Sequence, residues 1–248
     1  MAFIGTGKIS IAAYSSGSSF GARKFVNVGN ASVLEFSFSE EKKELKDYQD
    51  PAGGTAATVT KIDKVEGKMD LRQFTAANLA LALWGTTAAL GVTPIVAEAG
   101  FKAYAGTVIA PARLINTTVA PVLKKGGTTL NTADYVVSAG GITFASTFVT
   151  AGLVDGDAIT IDYTPLAGYD VQTLVSTAPL VSIFFDGVNL VDGKVATAKI
   201  FKGKLGVASN IGLIGDDFGT MALTFSVDKD TTVTGAGLSQ FLKMESQS

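Results

Sequence analysis

Apolar and polar residues alternate most regularly over residues 24–39, KFVNVGNASVLEFSFS. Leu34, Phe36 and Phe38 fall on one side, and Val33, Glu35, Ser37 and Ser39 on the other. That period of two predicts a strand with one buried and one wet face. A shorter strand is predicted within GKISIAAYSSG (7–17), where Ile9 and Ile11 alternate with Lys8 and Ser10. TAATVTKIDKVEGKMDL (55–71) reads as a returning strand; Val59, Ile62, Val65 and Met69 are interleaved with charge, so neither face is cleanly apolar. The period changes in FTAANLALALWG (74–85). Thr75 is a good N-cap, Ala and Leu favour helix, and Gly85 stands where a C′ glycine belongs. One short helix is predicted, about 75–84, with Leu79, Leu83 and Trp84 covering one end of the sheet.

From 95 to 230 the pattern gives strand after strand. The predicted segments are 101–109, 134–138, 142–145, 157–164, 178–187, 194–205 and 221–230. Lys125-Gly126-Gly127, Asp155-Gly156-Asp157, Asp186-Gly187 and Asp192-Gly193 supply turn chemistry between them. Turn signals about every ten residues indicate an all-β sandwich or barrel. The expectation is therefore a mainly β subunit, 1–248 as a single domain, with one flanking helix. Residues 95–175 fit either an insertion, an outer decoration, or more of the core sheet. The tail QFLKMESQS (240–248) is polar and reads as loose.

One stretch breaks the alternation. EEKKELKDYQD (40–50) holds Glu40, Glu41, Lys42, Lys43, Glu44, Lys46, Asp47 and Asp50, with Tyr48 beside them. As a helix it would set Glu40 against Glu44 and Lys42 against Lys46, and only Leu45 and Tyr48 could form an apolar stripe. Residues 40–56 are read instead as a long exposed hairpin loop closed by Pro51, Gly53 and Gly54. With five acids and three bases, 40–50 alone accounts for the chain's net charge of −2.

Composition narrows the chemistry. Charged residues make up 17% of the 248, hydrophobic ones 47%, and there are 28 glycines, which suits a packed β protein rather than a disordered chain. There is no cysteine, so disulfides, zinc–thiolate sites and thiol nucleophiles are excluded, and no histidine, the commonest general base. The balance of charge does not suggest a nucleic-acid-binding surface. The N-terminus lacks the charged region of a signal peptide, and no run approaches the roughly 18 apolar residues of a membrane span. A soluble, non-secreted, non-enzymatic protein without a cofactor or metal is the expectation.

Motif matches do not change this. GSSFG (17–21) fits G-x-S-x-G without the histidine that such a serine requires. GTGKIS (5–10) has Ile9 where a phosphate loop needs Ser or Thr. The Asp155/Asp157 and Asp216/Asp217 pairs could hold calcium or act as acid and base, but they read as turn aspartates. Asn30-Ala-Ser and Asn116-Thr-Thr fit glycosylation acceptors only for a secreted chain.

Three segments together resemble a known family. VNVGNASVLEFSFSEEKKELKDYQDPAGG is a strand followed by a charged loop; a returning strand leads into DLRQFTAANLALALWG; and KVATAKIFKGKL precedes LIGDDFGTMALTFSV. The chain resembles the major tail tube proteins of long, non-contractile-tailed bacteriophages. The resemblance is spread over most of the chain, and none of its motifs is diagnostic alone. It implies a β-sandwich subunit that forms hexameric, stacked rings, giving a hollow tube through which phage DNA is delivered. Part of each sheet would join its neighbours into a barrel lining the lumen, at about 31–39 and 57–70, and the loop at 40–56 would reach the next ring. The stacking residues would be Glu40, Glu41, Lys42, Lys43, Glu44, Lys46, Asp47, Tyr48 and Asp50. Half of such a 17-residue loop reaches about 30 Å at most, at ~3.3–3.6 Å per residue.

The lumen-facing candidates are Glu35, Ser37, Ser39, Glu66 and Asp70, while Lys64 and Lys68 on the partner strand pull the other way. DNA would pass without specific binding, since phosphate affinity needs Lys and Arg. The partners implied are further copies of the chain, a tape measure protein inside, and terminator and tip proteins at the ends. There is no membrane partner; the protein would be assembled in the host cytoplasm and located in the virion tail. The competing readings are a related tail terminator or baseplate component, a β-sandwich binding module, and an enzyme using the aspartate pairs. Scattered Tyr104, Tyr135, Tyr163 and Tyr169 do not favour the binding module.

Overall fold

Turn glycines separate segments rich in Val, Ile, Thr and Phe. In the computed structural model, which describes residues 2–49 and 53–248, these segments pair into sheets. The protein is mainly β, with about 50% of its residues in strands. The first elements are β1 (Gly5–Ala13), β2 (Val26–Asn27), β3 (Ala31–Lys46), β4 (Thr55–Leu71), α1 (Ala76–Ala82) and β5 (Thr86–Leu90). Next come β6 (Ile95–Ala103), β7 (Val108–Ile109), β8 (Val122–Lys125), β9 (Thr128–Thr129), β10 (Tyr135–Ser138), β11 (Gly141–Phe144), β12 (Asp157–Tyr163) and β13 (Gly168–Gln172). The chain finishes with β14 (Leu180–Asn189), β15 (Val195–Leu205), β16 (Met221–Val227) and β17 (Leu242–Ser246).

The chain divides into two compact units: residues up to Thr87 with Val171–Ser248, and Ala88–Asp170. The first is built on an eight-stranded sheet in the order β2-β1-β14-β15-β16-β4-β3, with β17 also on β15. Ile9, Met69, Leu71, Ile183, Ile200 and Leu223 face inward from successive strands and are almost wholly buried. Helix α1 closes this core with Ala82, and its buried Asn78 donates to the carbonyls of Val28 and Gln73. The second unit has its own core, including Ile115, Leu123, Ile142, Phe144, Ile159 and Ile161, between the sheets β6-β12-β8-β9 and β10-β11-β7.

Several local expectations are corrected. The Thr75 N-cap is present, its side chain accepting from the Asn78 amide, but the left-handed position is taken by Trp84 (φ 47°). Gly85 follows it, and its amide bonds back to the Ala80 carbonyl, as in a Schellman end. Glycine is required there because a Cβ would lie 2.3 Å from the Gln172 carbonyl oxygen. Asp186-Gly187 is not a turn: Gly187 lies inside β14 opposite Gly7, where the Phe185 ring leaves no room for a Cβ. The segment 101–109 is broken between β6 and β7 by a turn with Gly106 at φ +70°. The tail 240–248 is not loose, because Leu242–Ser246 pair with Ala196–Ile200 of β15.

On the far side of β14 and β15, the 14–25 segment is fixed by one buried cation. Arg23 donates to Ser182 Oγ, to the Phe201 and Ser18 carbonyls, and to Asp230 Oδ2 at 3.0 Å. Its guanidinium lies 4.7 Å from the Tyr14 ring centre, beside the packed rings of Phe20, Phe25, Phe184 and Phe201. The GSSFG segment is the approach to this clasp. Burial alone would push the Asp230 carboxyl up, but hydrogen bonds from Thr232 and Arg23 outweigh it and hold it below its ordinary value. The native carboxyl thus titrates below the unfolded one, near pH 3.9, so its contribution is full above about pH 4 and is lost as pH falls through the native value. Asp230→Asn leaves a buried unpaired cation and is expected to cost about 3–5 kcal/mol at neutral pH. Urea unfolding checks this, and the variant should also lose less stability than the parent on acidification below pH 4.

Candidate functional site

Strand β4 has clean alternation from its buried half: Val65, Gly67, Met69 and Leu71 point into the core, and Glu66, Lys68 and Asp70 point out. Here the sequence reading of a strand with no clean face is corrected, because Val59 and Ile62 belong to its distal half. Strand β3 pairs with it in register, Leu34 opposite Met69, Phe36 opposite Gly67 and Phe38 opposite Val65. Leu34 and Phe36 pack on the core, but Phe38 is 59% exposed, already beyond the rest of the sheet. The Phe225 ring lies over Gly67, 6.1 Å from Phe36.

The opposite face gathers the lumen-facing candidates. Glu35 stands opposite Lys68, Ser37 opposite Glu66 and Ser39 opposite Lys64, with Asp70 opposite Val33. The row continues across the sheet through Thr224, Ser226 and Lys204. Lys68 Nζ is 3.7 Å from Asp70 Oδ2. The lysines that counted against the sequence reading therefore lie among acids on the same face, which is close to charge-balanced. An open groove of about 640 Å³ runs along this part of the sheet, with Trp84 at its margin.

Beyond Ser39 the expectation of a loop at 40–56 is corrected: Glu40–Lys46 continue β3 and pair with Thr55–Ile62. Strand pairing stops at Lys46 and Thr55; just beyond it the Asp47 amide donates to the Gly54 carbonyl, and Gly53 and Gly54 have positive φ. Pro51 and Asp50 lie outside the described residues. Charge does not prevent this strand, for two reasons. The returning strand supplies β-branched Thr58, Val59 and Thr60, and the one directly opposed charged pair, Glu41 and Lys61, is of opposite sign. A bulge at Ser39/Glu40 leaves Asp63 as the extra residue, its carboxylate 3.4 Å from Ser39 Oγ.

The result is an arm that buries nothing. From Glu40 to Lys46 and from Thr55 to Lys64 the residues are exposed, including Leu45 at 62%, Val59 at 53% and Ile62 at 56%. Alternation divides its surface. Glu41, Lys43, Leu45, Ala57, Val59 and Lys61 share one face, as the 3.4 Å Glu41–Lys43 ion pair requires, and Glu40, Lys42, Glu44, Thr58, Thr60 and Ile62 share the other. Strand β3 also ends the sheet, so the outer backbone edge of its 16 residues has no neighbouring strand among the described residues.

The aspartate pairs do not form a site. Asp155 accepts from the Ala105 amide and Asp157 from Val154 and Lys125, which fixes their turn. Lys125 holds the Asp157 carboxyl below its ordinary value. Asp216 and Asp217 lie in an exposed loop, and no group of three potential metal ligands occurs among the described residues. Sequence reasoning did not pick out that loop's own surface: Leu213 is 85% exposed, Ile214 100% and Phe218 88%. Its signal, three apolar residues among glycines without a period of two, is visible only once a strand is ruled out.

A family model described as "Protein of unknown function UCP028589" matches residues 2–245. The chain belongs to that family. No curated protein matches it.

Because Glu40–Lys46 and Thr55–Lys64 are exposed, the arm is expected to be dispensable for folding. Replacing residues 40–63 by Asn-Gly would join the opposed Ser39 and Lys64 through a two-residue hairpin turn. The thermal unfolding midpoint of that variant should match the parent's; a drop of more than a few degrees would reveal a stabilising contact made by the arm.

Proposed function

We propose that the protein is the tail tube subunit of a long-tailed bacteriophage. Copies join edge to edge into rings, and the hairpin arm links each ring to the next, leaving a bore for DNA. The carrying observation is the arm itself. A paired ribbon that leaves its own core and stays exposed on both faces gains nothing from folding within one chain. A two-stranded ribbon is marginal alone, so its value lies in what it touches in another molecule.

Two further features support the reading. A long unpaired edge such as that of β3 invites pairing, and closing a ring of subunits removes it. A DNA conduit should avoid net positive charge, because affinity for duplex comes mainly from Lys and Arg releasing counterions. The face bearing Glu35, Ser37, Ser39, Glu66 and Asp70 fits a conduit wall, with Lys64, Lys68 and Lys204 offset by acids. In this reading the protein acts as a structural component of the virion tail and carries out no chemistry.

Purified protein at high concentration should form rings or tubes visible by negative-stain electron microscopy. Reversing three arm charges, Lys42→Glu, Lys43→Glu and Lys46→Glu, should leave the circular dichroism spectrum unchanged and stop tubes from forming. Normal tubes from the triple variant would reduce the arm to a solvated ribbon.

A further inference from the structure

The exposed Gly212–Phe218 loop lies at the opposite end of the same strands from the arm tip. Strand β16 starts just after it, Met221 pairing with Leu71 at the end of β4, and Ile211 bridges to Met221. Arg72 Nη1 reaches the Phe218 carbonyl at 3.5 Å, and Gly219 lies against the Phe74 ring. One end of the sheet thus carries the arm, and the other carries a loop that is apolar and, through Asp216 and Asp217, acidic.

The two faces of the arm differ in their fit to that loop. One offers Leu45 and Val59 beside Lys43 and Lys61, with Glu41 as its only acid; the other carries Ile62 among threonines, and its Glu40 and Glu44 are matched by Lys42 and Lys46. Only the first presents apolar surface with a net positive charge to an apolar, acidic partner. We propose that the Leu45/Val59 face of one copy docks on the Leu213/Ile214/Phe218 loop of another copy. Complementary charge sets the register, and apolar burial supplies the affinity. Complementary patches at opposite ends of one subunit make a heterologous contact, which repeats into a filament. Val59 lies twelve residues from Leu71, about 40 Å at roughly 3.3 Å per residue. The docking therefore sets an axial repeat of about 40 Å, shorter where the strands tilt from the axis.

This rests on the stacking role proposed above, and the full-length protein tests it. The chain has no cysteine, so Val59→Cys with Ile214→Cys introduces the only two thiols. Under mild oxidation these should give a ladder of covalent oligomers on a non-reducing gel. Thr60→Cys with Ile214→Cys, on the other face of the arm, should give none. Lys43→Glu with Lys61→Glu should abolish tubes, and adding Asp216→Lys with Asp217→Lys should restore them. Tubes that form without the Val59–Ile214 ladder, or equal ladders from both thiol pairs, would overturn the docking and leave stacking by the arm intact. Parent protein that forms no tubes at any concentration, together with a Val59→Cys/Ile214→Cys variant that gives no ladder, would overturn both.

Discussion

The pairing of β3 with β4 carries information from a dry core into water. At its base, Leu34, Phe36, Val65 and Met69 fix which residues stand opposite one another, because a slip of one position would turn them to solvent and Glu35 and Glu66 inward. The same ladder then runs on through Lys46, where no burial enforces it. The two chemically distinct faces of the arm are therefore set by packing at the base of the hairpin. A bulge at Asp63 marks the passage from base to arm, and a further shift falls at Leu45/Lys46 near the end of the ladder.

The two ends of the molecule's main sheet are unequal for a related reason. Strand β2 is two residues long, and β17 covers part of the edge that β15 would otherwise expose. Strand β3 has no such cover among the described residues, and Lys and Glu on it discourage only casual pairing. The Arg23–Asp230 pair works in the opposite sense, within the chain. It fixes the 14–25 segment and the region after β16 to the outer surface of the sheet, using groups 207 positions apart.

Much of the fold was legible in residue patterns. The alternation of 31–39, the cap at Thr75 and the turns at Gly126-Gly127, Gly156 and Gly193 all express local backbone preferences that neighbouring residues suffice to set. The candidate wall residues were also legible, since period two alone puts Glu35, Ser37 and Ser39 on one side. The charged stretch misled because Glu40–Lys46 have no strand character of their own; they are strand because Thr58, Val59 and Thr60 stand opposite. Asp186-Gly187 has turn chemistry, yet the Phe185 ring and the facing Gly7 need glycine inside β14.

The sequence by itself determined a mainly β chain without thiol or imidazole chemistry, with one short helix and one hairpin of unusual charge, because composition and short-range periodicity are properties of neighbours. Tertiary structure alone decided that the charged hairpin is a paired arm, that Ala88–Asp170 has a core of its own, and that Leu213, Ile214 and Phe218 are left bare at the far end of the arm's own strands. Those outcomes depend on which distant strand supplies the partner, and pairing across many residues is settled by the burial of the whole core.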